Sequence, residues 1–294
     1  MMKLGSAAFR LVIHFFCVKP LFDAIPRHAT ILEIGGGYNP KFLKGSFSNV
    51  YHLDHASAAE LRAKYAKDPH VAHLIHRIQE VDFVSQGGPI ERLIPQALKF
   101  DVVFSSHALE HQVDLIEHLQ SLAGLIKENG TVIMVIPDYR CCFDALRFPT
   151  LAGDALAVHL AGHRRHRAKQ AFDTTARTIQ LNPGRRLRWL DIRVAKFCGS
   201  VARGHEAVER NEKPEAEYMD AHAWTFCPVS FELLMTELYL MGLTSLRPKS
   251  ISPSYGNQFC VVLGNRPPPP SGIPAGLESD LEQTRLRLSK LLRH

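Results

Sequence analysis

The sequence predicts an α/β fold: a mostly parallel sheet of seven strands with helices on both faces, and an inserted cover segment after the fifth strand. Two observations predict it. Short apolar, β-branched runs alternate with amphipathic stretches through the first half of the chain, the pattern of a parallel sheet with crossover helices. The first of these runs ends in three consecutive glycines, and sheets of this kind receive ligands at the carboxyl ends of their strands.

In chain order, residues 29–36, ATILEIGG, read as a buried strand ending in glycines. A second strand covers 49–55, NVYHLDH, and a helical stretch follows near 58–67. Residues 78–84 suggest a third strand ending at Asp82, and 101–106, DVVFSS, a fourth. Over 114–128, Leu115, Ile116, Leu119, Leu122 and Ile126 share one helical face, which Asn129-Gly130 closes. TVIMVIP, 131–137, is the fifth strand. The alternation stops near 139 and resumes at Ser230, which can cap a helix carrying Phe231, Leu234, Leu238 and Met241. Strands near 243–248 and at 258–264 then suit an antiparallel pair at the sheet edge.

Three parts follow: an N-terminal helical segment over 1–28, a main domain over 29–266 with an insert at 139–229, and a Pro-rich linker with an amphipathic helix over 267–294. The apolar run 7–18 is too short to span a bilayer, which takes about 20 apolar residues, and Arg10 and His14 interrupt it. It suits a packed helix or an amphipathic surface anchor, so a peripheral membrane contact stays open. The six cysteines show no C-x-x-C pair and no zinc spacing, as in a cytoplasmic protein with reduced thiols. Net charge is +6 at pH 7, which allows an anionic partner without requiring one.

The glycines of Leu32-Glu33-Ile34-Gly35-Gly36-Gly37 let a ligand approach the backbone. Asp54, at the end of the next strand, can accept hydrogen bonds from both ribose hydroxyls of an adenosine. NAD and S-adenosylmethionine fit this much equally. Three details favour S-adenosylmethionine. Pro40 stands where the dinucleotide fingerprint wants its third glycine, little room remains for a helix before the second strand, and Glu33 precedes the glycines. Asp82 suits an adenine amino group, with Phe83 or Val84 against the ring. The segment Ser105-Ser106-His107-Ala108-Leu109-Glu110-His111 follows the fourth strand and brings two imidazoles and a carboxylate to the crevice, any one of which could act as a general base. His107 and His111 also have metal-ligand spacing, but no third ligand is evident and a metal is discounted.

Taken together, LEIGGGYNP, VYHLDHASAAELRAKYAKDP, EVDFV, FDVVFSSHALEH, ENGTVIMVIPDYRCCFDALRFPT, EYMDAHAWTFCPVSF and NQFCVVL run in order from about 29 to 264. In them the chain resembles Rossmann-like class I S-adenosylmethionine-dependent methyltransferases of the kind that occur with glycosyltransferases of bacterial surface polysaccharide synthesis. It departs from that pattern at Tyr139, where a charged residue is usual, at Gln258, where an acid is usual, and at Cys260, where an aromatic is usual. The departures point to an atypical substrate pocket.

The resemblance implies that Glu33, Gly35 and Gly37 hold the methionine end of the cofactor S-adenosylmethionine, Asp54 the ribose and Asp82 the adenine, with Gly36, Phe83 and Ser105 on the same side. It implies an acceptor side formed by Glu110, Asp138, Arg140, Asp220 and Trp224, with His107, His111 and His222 as candidate bases. Trp224 is equally well read as core. The expected activity is O-methylation of a sugar or glycan precursor, with a glycosyltransferase as the implied partner. A small metabolite, a lipid-linked precursor, or a binding scaffold without catalysis are the alternatives.

The insert is rich in arginine and lysine. Between His159 and Arg203 there are eleven bases against Asp173 and Asp191, which reads either as an electropositive cover for an anionic acceptor or as a solvated face. Nucleic acid is disfavoured, because aromatics are not interleaved with the bases.

Overall fold

The computed structural model describes residues 19–180, 196–213, 215–216, 219–267 and 275–293. Most of the N-terminal segment and the stretch with Arg185, Arg186, Arg188 and Arg193 therefore lie outside the described residues.

Helix α1 (Lys19–Asp23) leads to β1 (Thr30–Ile34). The glycine turn follows, and no helix intervenes before β2 (Asn49–Asp54). Helix α2 (Ala58–Tyr65) starts at Ser57, whose side chain accepts the Glu60 N–H while Glu60 accepts the Ser57 N–H, a reciprocal cap. The strand expected over 78–84 is reduced to β3 (Phe83–Val84), after a 3₁₀ turn at Ala72–Arg77. The cause is local. The Asp82 carboxylate accepts the His52 N–H at 2.8 Å, taking the place of a ladder carbonyl and stopping the pairing there.

Strand β4 (Phe100–Ser106) leads through a short turn to α3 (Leu115–Leu125), capped by the Asp114 side chain on the Glu117 N–H. This helix ends earlier than its periodicity suggests. β5 (Ile126–Pro137) begins at once, and Asn129-Gly130 lies in an irregular stretch between the Phe100–Ile126 and Val102–Thr131 pairs. A Cβ on Gly130 would sit 2.8 Å from the Phe100 carbonyl oxygen, so the glycine answers a close approach of two strands rather than a helix end.

The insert folds as α4 (Ala152–Ala161), α5 (Ala168–Ala176), the short ribbon β6 (Ile179–Gln180) with β7 (Lys196–Phe197), and α6 (Val201–Asn211). Helix α7 (Pro228–Leu240) is capped by Cys227, not Ser230. Proline favours the first helical position, which moves the start three residues upstream. Ser230 then reaches back, its hydroxyl accepting the Cys227 N–H at 2.9 Å. β8 (Leu246–Ile251), β9 (Gln258–Asn265) and α8 (Ala275–Leu292) complete the chain's described elements.

The seven-stranded sheet has the order β3-β2-β1-β4-β5-β9-β8. The first five strands in this order run parallel; β9 is antiparallel to both β5 and β8. The fold is thus the Rossmann-like α/β arrangement. Chain order reverses between β1 and β4, and the carboxyl ends of those two strands form the crevice where such sheets bind ligands.

Both faces of the central strands are buried. Leu32, Val103, Met134 and Val261 face α3, α4 and α7, while Ile31, Phe104, Ile133 and Val262 face the side of α1, with Phe22 and Phe42. This alternation of two apolar faces is what makes β1, β4 and β5 read as continuous apolar runs. The tail helix α8, unassigned by periodicity, seats Leu281 and Leu288 against Leu233 of α7. Among the described residues no helix is long and apolar enough to cross a membrane, and none of the five described cysteines is in a disulfide.

Candidate active site

The donor half of the crevice is built by β1, β2 and the turn between them. Gly35 and Gly37 have φ of +71° and +47°, a left-handed region that suits glycine. Asp54, at the carboxyl end of β2, is buried and accepts the Gly37 N–H at 3.1 Å and the His55 N–H at 2.8 Å. His55 Nδ1 lies 2.7 Å from the same carboxylate. A carboxylate has about four lone-pair sites, so one acceptor position is left at the strand end. Tyr65 closes the pocket from α2, its hydroxyl 3.3 Å from where a Gly37 Cβ would lie. Burial pushes the Tyr65 phenol up to about 12, so at neutral pH it is an uncharged donor. A glycine cradle beside a strand-end carboxylate and a phenol fits an adenosine-bearing donor.

Two other residues assigned to the cofactor do different work. Glu33 is buried, and its oxygens accept the Lys41 N–H at 2.8 Å and the Phe42 N–H at 2.9 Å. These bonds tie the glycine loop to β1. Burial pushes this carboxyl up to about 7, against the pull of those two N–H groups. Asp82 stands ahead of β3 and is tied to the His52 N–H and to Lys44 Nζ at 2.7 Å. It is set back from the strand end, where Val84 pairs with Asp54. Phe83 stacks on Tyr51, with centroids 6.1 Å apart, instead of facing the crevice. Gly36 lies between the two left-handed glycines, and Ser105 is buried between Ile34 and Met134.

The acceptor half centres on Glu110. It follows β4 in a 3₁₀ turn at Leu109–His111 and is fully buried. Its backbone carbonyl accepts N–H bonds from Ala223 at 2.7 Å and Trp224 at 3.2 Å, which docks the 220–224 segment against the turn. Three imidazoles surround its carboxylate: His107 Nδ1 at 3.6 Å, His111 Nε2 at 3.9 Å and His222 Nε2 at 4.0 Å, all measured to Oε1. Neither oxygen of Glu110 has a hydrogen-bond partner.

Each imidazole is held on its far side. His111 Nδ1 meets Asp220 at 2.7 Å, His222 Nδ1 meets Asp144 at 2.6 Å, and His107 Nε2 meets Gln258 Oε1 at 2.8 Å. His107 has φ of +53°, the one described non-glycine residue in the left-handed region. Such strain gathers at functional sites. The His111 contact holds the Asp220 carboxyl down at about 2. Burial raises Asp144, but its His222 and Arg147 contacts outweigh that and lower it.

Asp144 was not singled out from the sequence. The signal available was the spacing of Asp144 and Arg147 within CCFDALRFPT. Arg147 bonds Asp144 at 3.0 Å and donates to the carbonyls of His222 and Ala223, locking the turn after β5 to the histidine segment. His107, Glu110, His111 and His222 open into a cleft of about 500 Å³, walled by insert residues that include Phe143, Ile179 and Cys198. No lysine or arginine is among its described lining residues.

Three acceptor-side assignments are corrected. Trp224 is core: it is buried, and its indole N–H donates to the Gln112 carbonyl at 2.6 Å. Asp138 is fully buried in an ion pair with Arg140 at 2.6 Å, which uses both residues on the turn after β5. Of the described bases of the insert, Arg164 pairs with Glu117 at 2.7 Å and Arg167 with Glu212 at 2.6 Å. Of the three departures from the family pattern, Gln258 touches the site through His107, whereas Cys260 and Tyr139 are buried away from it.

A family model described as a methyltransferase domain matches residues 8–192. No curated protein matches the chain. Similar solved structures include DhpI in complex with SAH (14% identity, TM-score 0.44, 89% of this chain and 88% of that one). The CcbJ methyltransferase from Streptomyces caelestis is another (12%, 0.41, 85% and 88%). A third is an S-adenosylmethionine-dependent methyltransferase from Clostridium acetobutylicum ATCC 824 (10%, 0.44, 88% and 92%). Likenesses this distant say nothing of the acceptor. With the family model spanning well over half of its length, the chain belongs to the methyltransferase-domain family and is an S-adenosylmethionine-dependent methyltransferase.

Proposed function

We propose that this enzyme methylates a hydroxyl of a sugar or glycan precursor. The observation that carries the reading is the ring of three imidazoles around buried Glu110, at the carboxyl edge of the sheet and open to the cleft. S-adenosylmethionine, when bound, supplies a methyl group on a sulfonium leaving group. The protein's part is to orient the acceptor and to take its proton. His107 is the residue we assign to the proton. Its Nε2 is committed to the Gln258 carbonyl, so Nε2 carries the hydrogen and Nδ1 is the free base. Its side chain is also the most exposed of the three.

The cleft walls suit a neutral acceptor: Phe143 offers an exposed ring beside His222, with centroids 4.6 Å apart. The sugar itself, and a glycosyltransferase as partner, are supported by the sequence resemblance. The expected result is S-adenosylhomocysteine formation with a panel of neutral sugar and glycoside acceptors. His107→Ala should cut that turnover by roughly 10²–10⁴ and leave donor affinity unchanged. Turnover at the wild-type rate in His107→Ala removes the proton role. Turnover only with small non-sugar acceptors replaces the sugar reading with the metabolite one, and donor binding without turnover on any acceptor leaves a scaffold.

A further inference from the structure

The hydrogen bonds around Glu110 leave a chemical imbalance at its centre. His111 and His222 each direct Nδ1 at a carboxylate, Asp220 and Asp144. Each Nδ1 therefore carries the hydrogen, and each Nε2 lone pair faces inward. Glu110 faces the same point with two oxygens that accept no hydrogen bond, in a side chain with no solvent exposure. Three electron-pair donors thus converge with no hydrogen between them. The donor atoms of Glu110, His111 and His222 lie within 4.8 Å of one another, too far apart to share a proton well. An unpaired carboxylate buried this way is costly. A positive charge at that point, a cation or a proton on either Nε2, resolves it.

We propose that Glu110, His111 and His222 bind a divalent first-row transition cation. Two imidazoles and one carboxylate suit zinc or manganese better than magnesium or calcium, which prefer all-oxygen shells. Metal-ligating histidines usually donate their other ring N–H to a carboxylate, which fixes the tautomer, and both histidines here do so. With bonds of about 2.0–2.2 Å, tetrahedral ligand atoms stand about 3.3–3.5 Å apart. The observed 3.9 and 4.0 Å from Glu110 Oε1 need a contraction of about half an ångström, and the two imidazole nitrogens, within 4.8 Å of each other, close up by no more than about 1.3–1.5 Å. Three protein ligands leave positions open toward the cleft, the arrangement of a site that handles a substrate rather than a structural one. Sequence spacing pointed to His107 and His111 as the pair and showed no third ligand. The fold supplies the third by bringing His222 across from the segment before α7. His107 stays outside the trio, so the proton role assigned to it is unaffected. On the O-methylation reading, a cation here would also make an acceptor hydroxyl easier to deprotonate.

The test needs neither donor nor acceptor, so it is independent of that reading. Chelator-stripped protein is titrated calorimetrically with Zn²⁺ and, separately, with Mn²⁺. One equivalent of at least one of these ions should bind. Glu110→Gln and His222→Ala should weaken it at least about 100-fold, and Asp144→Asn and Asp220→Asn roughly 10–100-fold. His205→Ala, on the exposed face of α6, should leave it unchanged. X-ray absorption of the zinc form should show imidazole ligands at about 2.0–2.1 Å. That measurement on wild type also guards against a variant that fails to fold. No stoichiometric binding of either ion, or binding unchanged in both Glu110→Gln and His222→Ala, overturns the proposal.

Discussion

Asp54 and Glu33 are both buried carboxylates at the glycine turn, and they divide its work. Glu33 accepts the Lys41 and Phe42 N–H groups and ties the glycine loop to β1, whereas Asp54 accepts the Gly37 and His55 N–H groups and keeps an acceptor position at the end of β2. Asp54→Ala should therefore weaken S-adenosylmethionine binding by about 1.5–3 kcal/mol, the range for a hydrogen bond to a charged group. Calorimetry on the variant checks this, with circular dichroism to confirm that it is folded. An unchanged affinity in folded protein would take Asp54 out of the ribose role. Residue types and spacing made Asp54, Glu110 and the histidines legible as candidates, and the fold brings Glu110 and the three histidines together. What each carboxylate is spent on was not legible. Asp82, Asp138 and Glu33 carry the right chemistry near the right strands, and each is also engaged by a backbone N–H or by a basic neighbour that periodicity cannot see.

The elements most firmly read were those with strong apolar pattern: β1, β4, β5 and the antiparallel β8–β9 pair. The weakly read ones are edge or tail elements, where a single side chain decides the outcome. β3 shortens because Asp82 replaces a ladder carbonyl, and α7 starts early because Pro228 and Cys227 outcompete Ser230 as the boundary. The tail helix is a case of pattern without a visible partner. Its leucines at 281 and 288 are buried on α7, and Arg285 and Arg287 reach Glu237 and Glu232 at 2.9 and 2.7 Å. Those ion pairs are exposed and add little; the leucines hold the helix. Leu288→Ala should cost about 2–3 kcal/mol in urea unfolding, toward the low end for a buried leucine. Leu292→Ala, at a half-exposed position, should stay within about 0.5 kcal/mol. Equal effects at the two positions would mean that α8 is not docked by this face.

For the molecule as a whole, sheet order and the two-faced core follow from alternation in the sequence, but the acceptor site is assembled from three separated stretches. Glu110, Asp144, Asp220 and His222 meet only because Arg147 and the Glu110 carbonyl tie the 220–224 segment down. Burial of a single ring also bears on how stability depends on pH. His118 lies on the buried face of α3, and its Nε2 has no hydrogen-bond partner. Burial pushes its pKa down to about 4, while an unfolded chain holds histidine near 6.5. The folded protein thus keeps the ring neutral where the unfolded chain takes up a proton. Its contribution is fully present above about pH 6.5 and is lost as pH falls toward 4. Between pH 7 and pH 5 the wild type should lose about 2 kcal/mol of stability from this group alone. His118→Leu keeps the volume close and removes both the titration and the unpaired nitrogen. The variant should match or exceed the wild type at pH 7 and lose about 2 kcal/mol less on going to pH 5. Urea melts of both proteins at the two pH values decide it. Parallel losses in the two proteins would show that His118 reaches water or a partner when it is protonated, and that the acid sensitivity of the fold arises elsewhere.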